Sequence, residues 1–103
     1  MVFKTEFPFT LPRGYIDPDG NILREGIMRL ATAADEILPM KNPKVQADPA
    51  YLSILLLSRV VTRLGSVDRI TPKIIEDLCA SDRAYLQDFY QKINEIGTDE
   101  SRS

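Results

Sequence analysis

The chain contains no histidine, no tryptophan and a single cysteine. Without histidine it lacks the commonest general base near neutral pH and the commonest metal ligand. Cys79 has no partner for an internal disulfide, which argues against an oxidised secretory scaffold. Its setting in the apolar run IIEDLCA reads as that of a small buried hydrophobe. The five glycines are scattered and form no phosphate-cradling loop, and no Cys/His cluster offers a zinc site. The longest unbroken apolar run, Ile54 to Leu57, falls far short of the ~20 residues a membrane helix needs. Met1 to Arg13 lacks the basic start and apolar stretch of a signal peptide, so a cytoplasmic protein is expected. An excess of either charge is missing too: the net charge is −2, and both halves carry nearly balanced signs. Generic nucleic-acid binding wants a basic face with interleaved aromatics, and neither is present.

What remains is an ordinary globular composition, 44% apolar and 27% charged over 103 residues. That length supports one domain, expected over residues 1–97 with a polar tail at 98–103. The organising stretch is Asp48 to Gly65, DPAYLSILLLSRVVTRLG. Asp48 can accept from a free N–H at a helix start, and Pro49 suits the first turn. From Tyr51 to Leu64 apolar side chains fall almost all round a helix, which implies cover on several sides. Gly65 ends it.

Upstream, residues 2–11 alternate loosely, with Phe3, Thr5, Phe7 and Phe9 on one side; Pro8 marks an edge strand or a break. Asp17-Pro18-Asp19-Gly20-Asn21 is a turn, and ILREGIMRL reads as the return strand of a hairpin or short meander over 5–30. Thr32 with Asp35 makes a capping pattern for a short helix that Pro39 ends. Residues 39–47 read as a connector. Thr71-Pro72 opens another helix, and Ser81 caps a last one whose stripe is Tyr85, Leu86, Phe89, Tyr90 and Ile93, with Ile96 a turn on and Gly97 as stop. The expected fold is α+β, an N-terminal β-hairpin or meander followed by three to four packed helices.

Candidate chemistry is thin. Asp17, Asp19, Asn21 and Glu25 suggest a calcium loop, but placing Gly20 at the sixth position puts Tyr15 first and Gly26 twelfth, where ligands are required. A solvated turn is the better reading, and no metal or cofactor is expected. Carboxylate pairs such as Asp35/Glu36 and Glu76/Asp77 point about 100° apart on a helix and do not converge. Arg59 and Arg63 stand at i and i+4 beside Ser58 and Thr62, the one polar strip on the apolar helix. Either their stems cover core edge while their guanidinium groups reach solvent or pair with Asp82 or Asp88, or the strip Ser58, Arg59, Thr62 and Arg63 recognises an anion or a protein partner's carboxylates. No enzyme is expected.

The order of elements carries a resemblance. LPRGYIDPDGNILREGIMRLATAADE, the helix ending SRVVTRLG, and ITPKIIEDLCASDRAYLQDFYQKIN together resemble the small tail assembly chaperones of contractile-tailed phages, prophages and related injection particles. The likeness runs over roughly residues 5–94, through a Leu-Pro strand, a Gly-containing turn and Ile27-Met28-Arg29-Leu30, to Thr71-Pro72, Leu78, Asp82 and Tyr85-Leu86. Here the 31–47 connector is longer than in that pattern. The resemblance implies a non-catalytic protein that binds the tape-measure protein or another tail component before the tube polymerises. It carries over no catalytic residue. A structural tail or baseplate component, or a regulatory protein-binding module, are the alternative readings, and a homo-oligomer is left open.

Overall fold

In the computed structural model the described residues are 5–95. The expectations for the start of the first strand at Phe3, and for Ile96, Gly97 and the 98–103 tail, lie outside them. The architecture is α+β. Strands β1 (Glu6–Ile16) and β2 (Ile22–Arg29) form the hairpin, and β3 (Val61–Leu64) completes an antiparallel sheet of order β1-β2-β3. Between and after them come α1 (Ala33–Ile37), a 3₁₀ turn (Leu38–Lys41), α2 (Pro43–Ala47), α3 (Tyr51–Val60), α4 (Pro72–Glu76) and α5 (Ala80–Asn94).

The hairpin turns where its residues dictate. The Asp17 carboxylate accepts from the backbone N–H groups of Asp19 and Asn21, and Gly20 takes a φ of +87°. The two strands keep register from Glu6↔Arg29 to Thr10↔Glu25, then shift before Tyr15↔Leu23. Residues 11–14 form the excursion, tied from both sides. Arg24 Nε donates to the Leu11 carbonyl at 2.9 Å, and the Asp82 carboxylate accepts from the Arg13 and Gly14 N–H groups at 2.9 Å each. Thr10 N–H reaches Tyr85 Oη at 3.4 Å. Side chains of α5 thus occupy outward donors of β1, an edge strand that would otherwise present them to another chain.

The expected helix from Asp48 to Gly65 is instead two elements. Asp48 does hold a free N–H, that of Ala50 at 3.1 Å, but the helix begins at Tyr51 and stops at Val60. Residues 61–64 cross to the sheet, pairing Gly26↔Leu64, Ile27↔Arg63 and Met28↔Val61. Two causes combine. Val60, Val61 and Thr62 are β-branched and stiff at χ1, which favours extended backbone. β2 also has an open edge. A bulge at Thr62, whose hydroxyl donates to the Ile27 carbonyl at 3.3 Å, restores inward direction to both Val61 and Leu64. That spacing of three residues between buried positions imitates a helix. Gly65 does take the left-handed conformation, φ +58°, but it closes β3, and a Cβ there would press on Leu23.

Other elements depart in smaller ways. The 39–47 connector is ordered into the 3₁₀ turn and α2, the latter capped by Asn42 Oδ1 accepting from Lys44 N–H at 2.9 Å. Proline occupies the first turn of each, so it starts structure there rather than ending it. Thr71 caps α4 as expected, while α5 begins behind Cys79 with Ser81 already inside its first turn. Cys79 is exposed, not buried, because it is the extended residue before the helix.

The core lies between the sheet and the helices, with Leu11, Met28, Leu57, Val60, Ile75 and Leu86 fully enclosed. Phe9 packs edge-on to Phe89, and Tyr85 stacks on Phe89, which joins hairpin to last helix. Opposite Phe9 the strand carries Gly26, where any Cβ would collide with the Phe9 ring and the Arg63 carbonyl. α3 buries only Leu57 and Val60 completely; Leu52, Leu55 and Leu56 are partly buried. As expected the helix is covered on several sides, by α1, the 3₁₀ turn, α2, α4 and α5, and only Arg59 is exposed; the cover is complete only at Leu57 and Val60.

Candidate partner-binding surface

The change from helix to strand at Val61 divides the predicted polar strip. Ser58 and Arg59 sit on the last turn of α3; Thr62 is the bulge residue; Arg63 lies on β3 opposite Ile27. The four do not form one helical line. Ser58 turns its hydroxyl back to the Leu55 carbonyl at 2.7 Å. Arg63 borders an open hollow of about 690 Å³ along the sheet, with Pro8, Ile27 and Tyr85.

Arg59 does not meet Asp82 or Asp88. Its Nε donates to Asp35 at 3.0 Å, and Arg29 grips the same carboxylate with both Nη atoms, at 2.7 and 2.9 Å. Asp35 is 2% exposed. It sits at the third position of α1, where the capping box is complete: Thr32 Oγ1 accepts from Asp35 N–H, and the carboxylate accepts from Thr32 N–H at 2.8 Å. The Arg29 guanidinium, with help from Thr32 and Arg59 and against burial, holds this carboxyl well below the usual range. The neighbouring Glu36 accepts from Tyr90 Oη at 2.6 Å. Burial first, then Glu36, pushes the Tyr90 hydroxyl above its ordinary pKa. Asn94 adds a bond from Ala31 N–H at 3.1 Å. α1 is short, but these side chains fix it to β2, α3 and α5.

A fixed α1 also sets the place of the 3₁₀ turn behind it. The chain leaves α1 with Ile37, Leu38 and Met40 exposed, at 55%, 46% and 54%. Leu38, Pro39, Lys41 and Asn42 then face Leu55, Ser58 and Arg59 across a cleft of about 420 Å³. A second hollow of about 330 Å³ continues past Leu55 to Tyr51, Lys44, Lys73 and Glu76. Tyr51, Leu55, Ser58 and Arg59 stand at i, i+4, i+7 and i+8, one stripe of α3. That stripe is turned away from Leu57 and Val60. The helix has a core face and a groove face.

Sequence reasoning found Ser58 and Arg59 but missed Leu38, Met40, Lys41 and Leu55 as surface. The signal was there: three large apolar residues flanking Pro39 in a segment too short to bury them all. Among the described residues no cluster of three or more Asp, Glu or Cys side chains is placed to hold a metal, and no helix is long and apolar enough to cross a membrane. The Asp17 carboxylate is committed to its own turn. No family model, curated protein or solved structure matches the chain.

Proposed function

We propose that this is a non-catalytic protein-binding domain of the tail assembly chaperone type, which covers an apolar segment of a tape-measure protein or another tail component before assembly. The reading at the level of phage tails rests on the sequence resemblance. The observation that carries protein binding is the exposed trio Ile37, Leu38 and Met40, of which Leu38 lines the cleft against α3. Large apolar side chains clustered at a cleft mark a contact surface, and a partner with long apolar helices aggregates unless such surface is covered.

Co-expression with the longest coiled-coil protein encoded nearby tests it. Wild type should co-purify with that protein and be absent from finished particles. Capture of nothing, together with presence in mature particles, would replace the chaperone by a structural tail or baseplate component.

A further inference from the structure

The net charge of the chain is −2, yet the groove along α3 is basic. Lys41 and Arg59 line its first hollow, which among the described residues includes no acidic side chain. Lys44 and Lys73 line the second, against Glu76. Some of this charge is answered within the chain. Lys73 pairs with Asp77 at 3.2 Å, and Glu76 accepts from Tyr51. Arg59 shares Asp35 with Arg29, so that triad keeps one positive charge in excess. Lys44 lies 5.2 Å from the Tyr51 ring centre, a contact that leaves its charge intact. Lys41 and Lys44 are both exposed. The groove is therefore positive in balance on an acidic protein.

Apolar side chains alternate with the polar ones along it, and its walls are helical. Leu55 lies at the junction of the two hollows, Leu38 and Pro39 stand on one side, and Pro72 closes the far end. Among the described residues no strand borders the groove, so an extended segment would find no backbone edge to pair with. A helix lying along α3 would place one apolar stripe on Leu55 and Leu38 and its flanks against the cations.

We propose that this groove docks an acidic amphipathic helix of the partner, with apolar residues at i, i+3, i+4 and i+7 and carboxylates on both flanks. This rests on the chaperone reading above and names the chemistry of its target. Lys41 and Lys44 select the charge, and Leu38 and Leu55 supply the apolar contact. The excess charge at Arg59 adds to the field but is held by Asp35, so Arg59 is unsuited to a clean test.

The probe is a labelled helical peptide of roughly 18 residues with Leu at those positions and Glu on the flanks, beside a counterpart with Lys for every Glu. Anisotropy titration of the full chain should show the Glu peptide binding at least about tenfold tighter, with the gap shrinking between about 0.1 and 0.5 M salt. Lys41→Glu with Lys44→Glu, both on exposed positions, should reverse the preference. Leu38→Ser should weaken both peptides while circular dichroism stays unchanged. Equal binding of the two peptides, binding of neither, or indifference to the lysine changes overturns the proposal. So does a dimer that Leu38→Ser dissociates, since the groove would then belong to a second copy. Each of those results with co-purification of the coiled-coil protein by wild type intact removes the groove and leaves the chaperone reading standing; wild type that captures nothing and is found in mature particles removes that reading.

Discussion

Among the described residues two carboxylates are buried, and they are accommodated by opposite means. Asp35 is surrounded by charge: two arginines and the Thr32 N–H converge on it. Asp82 is 0% exposed and takes its hydrogen bonds from the uncharged backbone, the N–H groups of Arg13 and Gly14. It also sits at the third residue of α5, where the helix dipole favours a negative group. Asp35 ties α1 to β2 and α3 through charged side chains and keeps one uncharged backbone donor, the Thr32 N–H. Asp82 binds a piece of strand that has left its ladder and would otherwise bury unpaired donors. The contrast teaches that burying a carboxylate requires donors, not a particular counter-charge. Whether those donors are charged decides what happens when the carboxylate is neutralised.

Replacing each residue separates the two. Asp35→Ala should be the most damaging, because it leaves Arg29 and Arg59 facing each other and removes the capping box. A loss of about 3–4 kcal/mol in urea unfolding is expected, a large share of what a domain of this size possesses. Asp82→Ala should cost about 2–3 kcal/mol by leaving two N–H groups without acceptors. The amide replacements sharpen the difference. Asp35→Asn should lose most of what the alanine variant loses, since no charge remains for the arginines. Asp82→Asn keeps one acceptor oxygen and should cost about 1 kcal/mol. Equal losses for the two amides would mean that the arginines contribute little to Asp35.

Acid offers the same comparison without a substitution. The folded chain holds the Asp35 carboxyl below its unfolded value, so this group stabilises the fold above about pH 4, the unfolded range, and the contribution is lost as pH falls further. Stability measured between about pH 5 and 2 should decline less steeply in Asp35→Asn than in wild type. At the other end, the raised Tyr90 hydroxyl gives a contribution present below its unfolded pKa of about 10 and lost as pH rises beyond it. Tyr90→Phe should flatten the alkaline limb.

The smallest effects are expected at the arginines themselves. Arg59→Ala should cost about 1 kcal/mol, since Arg29 still answers Asp35. Arg63→Ala, exposed on the outer face of β3, should fall within about 0.5 kcal/mol. Equal costs at both positions would break the distinction between a residue that fixes α1 and one that borders an open hollow.

Local chemistry settled much of this protein. The Asp17–Asn21 turn, the Thr32/Asp35 capping box, the Thr71-Pro72 helix start and the aromatic stripe of α5 each depend on neighbours a few residues apart, and each stands where the residues place it. Tertiary structure decided the rest. The apolar spacing of Val61 and Leu64 suits a helix as well as a bulged strand, and only the open edge of β2 selects the strand. That selection pulls Arg63 away from Arg59 and dissolves the predicted strip. Asp35 likewise meets Arg59 from 24 residues away, a pairing that no local pattern contains. Burial of Leu57 but not of its neighbours Leu55 and Leu56 depends on which side of α3 meets the core. A helix that is apolar nearly all round does not encode that choice, because burial is a property of the packed neighbours and not of the residue.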